Sequence, residues 1–106
     1  MAKGYWIAHV DVADPEVYKG YVAANAAAFA KYGGRFLVRA GAHTVAEGAS
    51  RMRQVVIEFP DYETALACYR SSEYQAAKRL REPVSEADLV IAEGYDGAHP
   101  VSTQRS

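Results

Sequence analysis

Between Tyr5 and Val12 the chain is rich in β-branched and aromatic residues, with polar His9 and Asp11 toward its end, the composition of a strand. Asp14-Pro15-Glu16 comes next, an acidic cap with proline at the first helical position, and predicts a helix start. That helix runs through an alanine-rich stretch to Tyr32, with Tyr18, Val22, Asn25, Phe29 and Tyr32 along one inward stripe, and Gly33-Gly34 supplies its stop. A second strand starts at Arg35-Phe36-Leu37-Val38 and is expected to continue through a bend at Gly41 toward Val45. A turn over Glu47-Gly48-Ala49-Ser50 leads into a third strand from Met52 to Phe59. Asp61 then caps a helix carrying Tyr62, Leu66 and Tyr69, and Ser72-Glu73-Tyr74-Gln75 reads as a capping box that restarts it. Pro83 ends this segment, and Asp88 to Gly94 forms the last strand. The order is a doubled βαβ unit, which predicts an α+β, ferredoxin-like βαββαβ fold with a four-stranded antiparallel sheet.

Alternation sorts the strand residues into two sets. Trp6, Ala8, Val10, Phe36, Val38, Val55, Ile57, Phe59, Val90 and Ala92 form an apolar set, expected beneath the helices. The other set mixes Tyr5, Ile7, Leu37, Val56 and Ile91 with His9, Asp11, Arg35, Arg39, Gln54, Glu58 and Glu93, which is too apolar to face water alone. A second copy of the same sheet covers such a face most simply, so a homodimer through the sheet face is expected. Periodicity leaves open the reverse assignment, in which the mixed set lines a pocket within one subunit.

Size and charge narrow the possibilities. The 106 residues suit one domain, expected over 1–97, with a loose polar tail over 98–106. A net charge of −1 without a Lys/Arg block argues against a nucleic-acid partner. The absence of a long apolar run argues against a membrane span, and the absence of an apolar leader points to the cytoplasm. Cys68 is the one cysteine, so no intrachain disulfide or paired-cysteine metal site forms; on a helix it reads as a small buried hydrophobe.

Gly4-Tyr5-Trp6-Ile7-Ala8, Asp14-Pro15-Glu16, Tyr32-Gly33-Gly34-Arg35-Phe36, Ile57-Glu58-Phe59-Pro60, Tyr69-Arg70-Ser71, Glu73-Tyr74-Gln75 and Glu93-Gly94 follow one another in an order and spacing that resembles the DUF1330 family. The resemblance spans Gly4 to about Gly97. It departs at Ser72, where proline is expected, although either residue suits a helix start. The resemblance implies a dimeric α/β-barrel arrangement of two ferredoxin-like sheets. At the level of fold it implies kinship with cofactor-free monooxygenases and muconolactone isomerases, and it assigns no activity.

The chain lacks a phosphate-cradling loop, a dinucleotide fingerprint and a nucleophile elbow, so no cofactor is expected. His9, His43 and His99 have no metal-ligand spacing, so no metal is expected either. His9, on a central strand near Glu58 or Glu93, is the candidate general base, with Glu58 its partner. Trp6, Tyr18, Asn25, Arg39 and Tyr69 are the candidate ligand contacts, an aromatic wall with an amide and a guanidinium to orient a small organic ligand. The expected function is small-molecule binding or cofactor-independent catalysis, by proton transfer, isomerisation or a monooxygenase-like reaction. The alternative is a non-catalytic dimerisation or ligand-sensing module.

Overall fold

A computed structural model of the chain describes residues 2–101; residue 1 and the end of the expected tail, 102–106, lie outside the described residues. Asp14 caps helix α1 (Pro15–Tyr32) by accepting the backbone N–H groups of Glu16 and Val17. The helix closes on Gly33 at φ 71°, a left-handed turn that glycine adopts without strain, and Gly34 N–H donates to the Phe29 carbonyl at 2.8 Å. Strands β1 (Gly4–Val12), β2 (Arg35–Arg39), β3 (Arg53–Phe59) and β4 (Ser85–Glu93) form one sheet in the order β2-β3-β1-β4, with every neighbouring pair antiparallel. Helices α2 (Tyr62–Arg70) and α3 (Ser72–Arg81) complete the βαββαβ order. This is the ferredoxin-like fold.

Ser71, not Ser72, caps α3: its Oγ accepts the Tyr74 N–H at 3.1 Å and donates to the Cys68 carbonyl at 2.6 Å. One hydroxyl thus closes α2 and opens α3. The expected extension of β2 toward Val45 does not form. Ala40 adopts a positive φ of 56° directly after the strand, and the chain leaves the sheet until Arg53. β4 begins at Ser85, earlier than Asp88, because the turn containing Pro83 already delivers the chain to the edge of β1.

Register settles the faces. Trp6 pairs with Ile57 on one side and Ile91 on the other, and Ala8 with Val55 and Leu89, so these residues share the helix-covered face. The expected phase of β4 is therefore reversed: Ile91 lies under the helices and Val90 lies on the open face, 60% exposed. Alternation fixes which residues of one strand go together, but only pairing fixes which face they take. A bulge between Phe36 and Val38 makes the same correction in β2. The extra residue turns Val38 onto the open face opposite Val56 and brings Arg39 opposite Val55 on the helix side.

The core centres on Trp6, 2% exposed, whose indole N–H donates to the Ala65 carbonyl at 2.9 Å. Tyr74, Phe29 and Phe59 surround it at ring-centroid distances of 4.8, 5.2 and 5.3 Å, the first two edge to face. Cys68 is fully buried beside this cluster, and burial pushes its thiol up to about 12, as befits a packing residue. No helix among the described residues is long and apolar enough to cross a membrane.

Candidate functional site

A cavity of about 50 Å³ lies between the sheet and helices α1 and α3, at the end where β2 finishes and β3 and β4 begin. Trp6, Phe29 and Ile57 form its apolar depth, and Arg39, Arg53, Arg81, Tyr18, Tyr21, Tyr74 and Asn25 bring polar groups to its walls. Helical spacing explains the α1 contribution: Tyr18, Tyr21 and Asn25 recur every three to four residues and are all buried. The bulge in β2 explains Arg39, and the β3 register places Arg53 opposite Val10, another wall residue.

The polar groups form an ordered row. The Arg53 guanidinium lies 5.4 Å from the centre of the Tyr18 ring, the Tyr18 and Tyr21 rings are 5.2 Å apart, and the Arg81 guanidinium lies 5.4 Å from the Tyr21 ring. Arg81 Nη2 donates to the Tyr74 hydroxyl at 3.3 Å, and that hydroxyl lies 3.0 Å from the Tyr21 hydroxyl. Because a guanidinium only donates, the Tyr74 proton is free to go to Tyr21, and the Tyr21 O–H is then free for the cavity. Burial raises the Tyr74 and Tyr18 phenols above their ordinary value, so both are neutral hydrogen-bonding groups near neutral pH. The Asn25 amide oxygen and Arg53 Nε are buried without a hydrogen-bond partner among the described residues.

Of the residues the sequence singled out, Trp6, Tyr18, Asn25 and Arg39 all line this cavity. Tyr69 does not line it; it packs behind the wall, 5.7 Å from the Trp6 ring and 5.4 Å from the Tyr74 ring. Tyr21 and Tyr74 are among the tyrosines that helical spacing offers for an aromatic wall with phenol donors, and Arg53 is among the strand arginines that offer a positive mouth to a carboxylate or phosphate; Arg81 was missed. Arg81 reads in sequence as part of a solvated basic stretch, and only the docking of α3 on α1 turns it inward. The three-residue step from Tyr18 to Tyr21 keeps both phenols near one face.

His9 and Glu58 lie on the opposite, open face of the sheet. They are not partners there: His9 pairs with Gln54 and Glu58 with Tyr5, four positions along the strands or about 13 Å. Glu58 accepts from the Tyr5 hydroxyl at 3.1 Å and pairs with Arg35 Nε at 3.2 Å. The carboxylate beside His9 is Asp88, 3.2 Å from Nε2, while Nδ1 faces Ser50 Oγ at 2.7 Å and the Arg51 N–H at 3.4 Å. The Arg51 N–H makes Nδ1 the acceptor and puts the ring proton on Nε2, toward Asp88. Arg51 ties this cluster together through Asp88, Asp11 and Glu86 at 2.9, 3.0 and 3.1 Å.

Known structures share this architecture. A protein of unknown function from Rhodopseudomonas palustris, RPA0582, is 15% identical, with a TM-score of 0.67 over 91% of this chain and 85% of that one. SnoaB, a cofactor-independent oxygenase from Streptomyces nogalater, is 12% identical, with a TM-score of 0.58 over 99% of this chain and 100% of that one. An ethyl tert-butyl ether D (EthD) family protein from Bacillus halodurans is 15% identical, with a TM-score of 0.54 over 90% of this chain and 100% of that one. At these identities the likeness is one of fold. No curated protein matches the sequence significantly. The motifs from Gly4 to Gly94 nevertheless lie along a single family pattern, and with residues 3–95 matched, the chain belongs to the DUF1330 family, a domain of unknown function.

Proposed function

We propose that the protein binds a small organic molecule in the cavity between its sheet and helices α1 and α3, as a ligand-binding protein or an enzyme working without a cofactor. The observation that carries this reading is Asn25, a 5% exposed amide on the cavity wall whose oxygen has no partner among the described residues. A buried polar atom without a partner costs about 1–3 kcal/mol, and a ligand donor would recover that cost. If turnover occurs, the wall offers stabilisation of an enolate or other oxyanion through the Tyr21 hydroxyl and Arg81, which suits proton transfer or isomerisation. The lining includes neither a carboxylate nor a histidine, so the substrate or a water must carry away the proton. SnoaB's description as a cofactor-independent oxygenase adds a precedent on this fold for chemistry without a cofactor.

The same reading includes a homodimer through the open sheet face, supported by Ile7, Leu37 and Val90 at 49%, 46% and 60% exposure. Native mass spectrometry of freshly purified protein tests both parts. A mass near twice 11.6 kDa carrying a reproducible small adduct is the expected result. A stable monomer would overturn the dimer. A protein that carries no adduct and gives no saturable change in Trp6 fluorescence with any of a broad set of small metabolites would overturn ligand binding and leave a dimerisation module.

A further inference from the structure

Three guanidinium groups, those of Arg39, Arg53 and Arg81, line the one cavity, and none of them takes part in an ion pair among the described residues. Among the described residues, every carboxylate engaged by an arginine belongs instead to Arg35 or Arg51, on the open face. Arg81 is 8% exposed and Arg53 Nε is buried without a partner, so these cations are neither fully hydrated nor fully bonded. The tyrosine rings against Arg53 and Arg81 offset part of the charge, but a ring face accepts no full hydrogen bond and carries no net charge. The raised Tyr18 and Tyr74 phenols stay protonated and add no anion.

We infer that the natural ligand of this cavity is a small organic carboxylate, its acid group held by Arg53 and Arg81 and its carbon chain directed toward Trp6 and Phe29. This rests on the reading of the cavity as a ligand site and narrows the ligand's class. A carboxylate matches the fork geometry of a guanidinium and replaces the absent protein anion; the apolar depth takes a carbon chain better than a bare inorganic ion. The volume of about 50 Å³ is well under the about 150 Å³ that holds a benzene, which favours acids of two to four carbons. Arg39, exposed at the rim and stacked 4.1 Å from the Phe36 ring centre, is placed to attract the anion on entry.

The test is titration of the intact protein with acetate, propionate and butyrate against acetamide, propionamide and butyramide at constant ionic strength, followed by Trp6 fluorescence and melting temperature. The acids are expected to bind at least about tenfold more tightly than their amides, the worth of one charge-assisted hydrogen bond. Arg53→Gln is expected to reduce that preference by at least about tenfold, whereas Arg81→Lys, which keeps the charge but loses the fork, is expected to weaken acid binding by a smaller factor. Amides binding as well as acids would overturn the charge assignment and leave the cavity a ligand site. Acid binding unaltered in both variants would place the anion elsewhere and overturn the proposal. Failure of all six compounds to bind would overturn it and remove support from the cavity reading as well.

Discussion

The hydroxyls of Tyr21 and Tyr74 meet at 3.0 Å across the α1–α3 packing, joining residues 53 positions apart in the chain. Tyr74 is fully buried and also receives the Arg81 guanidinium, so this oxygen holds together the two helices that roof the cavity. Tyr74→Phe keeps the ring against Trp6 but leaves Arg81 a donor without its acceptor. The expected loss is about 1–3 kcal/mol, read as a lower urea midpoint with unchanged m-value. Tyr21→Phe leaves the Arg81–Tyr74 bond in place and is expected to cost about 1 kcal/mol or less.

The close approach of β1 to the start of α2 depends on Gly4. A Cβ there would lie 2.6 Å from the Asp61 carbonyl carbon and 2.7 Å from Tyr62 Cα, both backbone atoms that cannot swing aside. Gly4→Ala is expected to destabilise by about 3 kcal/mol, the upper part of the range for overpacking. Gly41→Ala, with open space around the position, is the control and should shift thermal unfolding far less.

Local signals carried the architecture: Asp14-Pro15 and Gly33-Gly34 bracket α1, and Pro60-Asp61 precedes α2, because caps and breakers act within a few residues. The inward stripe of α1 likewise found Tyr18 and Asn25 from periodicity alone. What the sequence did not display depends on pairing between distant strands. The β2 bulge carries Arg39 to the helix side, and the β1–β4 register puts Asp88, not Glu58 or Glu93, beside His9. A single residue of slip exchanges the faces, and nothing within one strand records it. Arg81 illustrates the same limit for helices, since its burial comes from α3 packing on α1 and not from its charged neighbours.

The Arg51 cluster makes stability depend on acid in a defined direction. The Arg51 guanidinium, above all, holds the Asp88 carboxyl below its ordinary value; for Asp11 the Met52 N–H leads and Arg51 adds to it. Depressed carboxyl values in the folded state mean that the unfolded chain binds more protons in acid. This stabilisation is therefore present above the unfolded value, about 3.9, and is lost as pH falls through the folded values. Arg51→Met is expected to lower the melting temperature at pH 7 and to flatten its fall in acid below the unfolded value of about 3.9. A variant with the same acid slope as the parent would show that Arg51 does not couple to these carboxylates.

His9 provides a separation of faces. It is wired to Ser50 and Asp88 on the open side of the sheet, whereas the cavity lies beneath the helices. His9→Gln is expected to leave small-molecule affinity at the cavity within about twofold, while Asn25→Leu, which fills the wall and removes its amide, weakens a hydrogen-bonding ligand by about tenfold. Trp6 fluorescence titration reads both. A large loss with His9→Gln and none with Asn25→Leu would move the binding site to the open face.

Val90 stands on that open face beside Ile7, with which it pairs in the β1–β4 ladder, and each is about half exposed in the single chain. In the proposed dimer these side chains meet a second copy, so burial of the exposed half of each contributes on the order of 1 kcal/mol to association and little to the fold of one subunit. Val90→Glu changes that balance selectively. A carboxylate on an exposed strand position costs the monomer little, but at a two-fold interface it appears twice, loses water and faces an apolar neighbour. The dimer dissociation constant is expected to rise by at least about a hundredfold, the equivalent of 2.7 kcal/mol, while circular dichroism stays that of the parent. Sedimentation equilibrium over a range of concentrations measures this directly. Dimers of undiminished affinity would place the interface on another surface, and the apolar strip of Ile7, Leu37 and Val90 would then need a different cover.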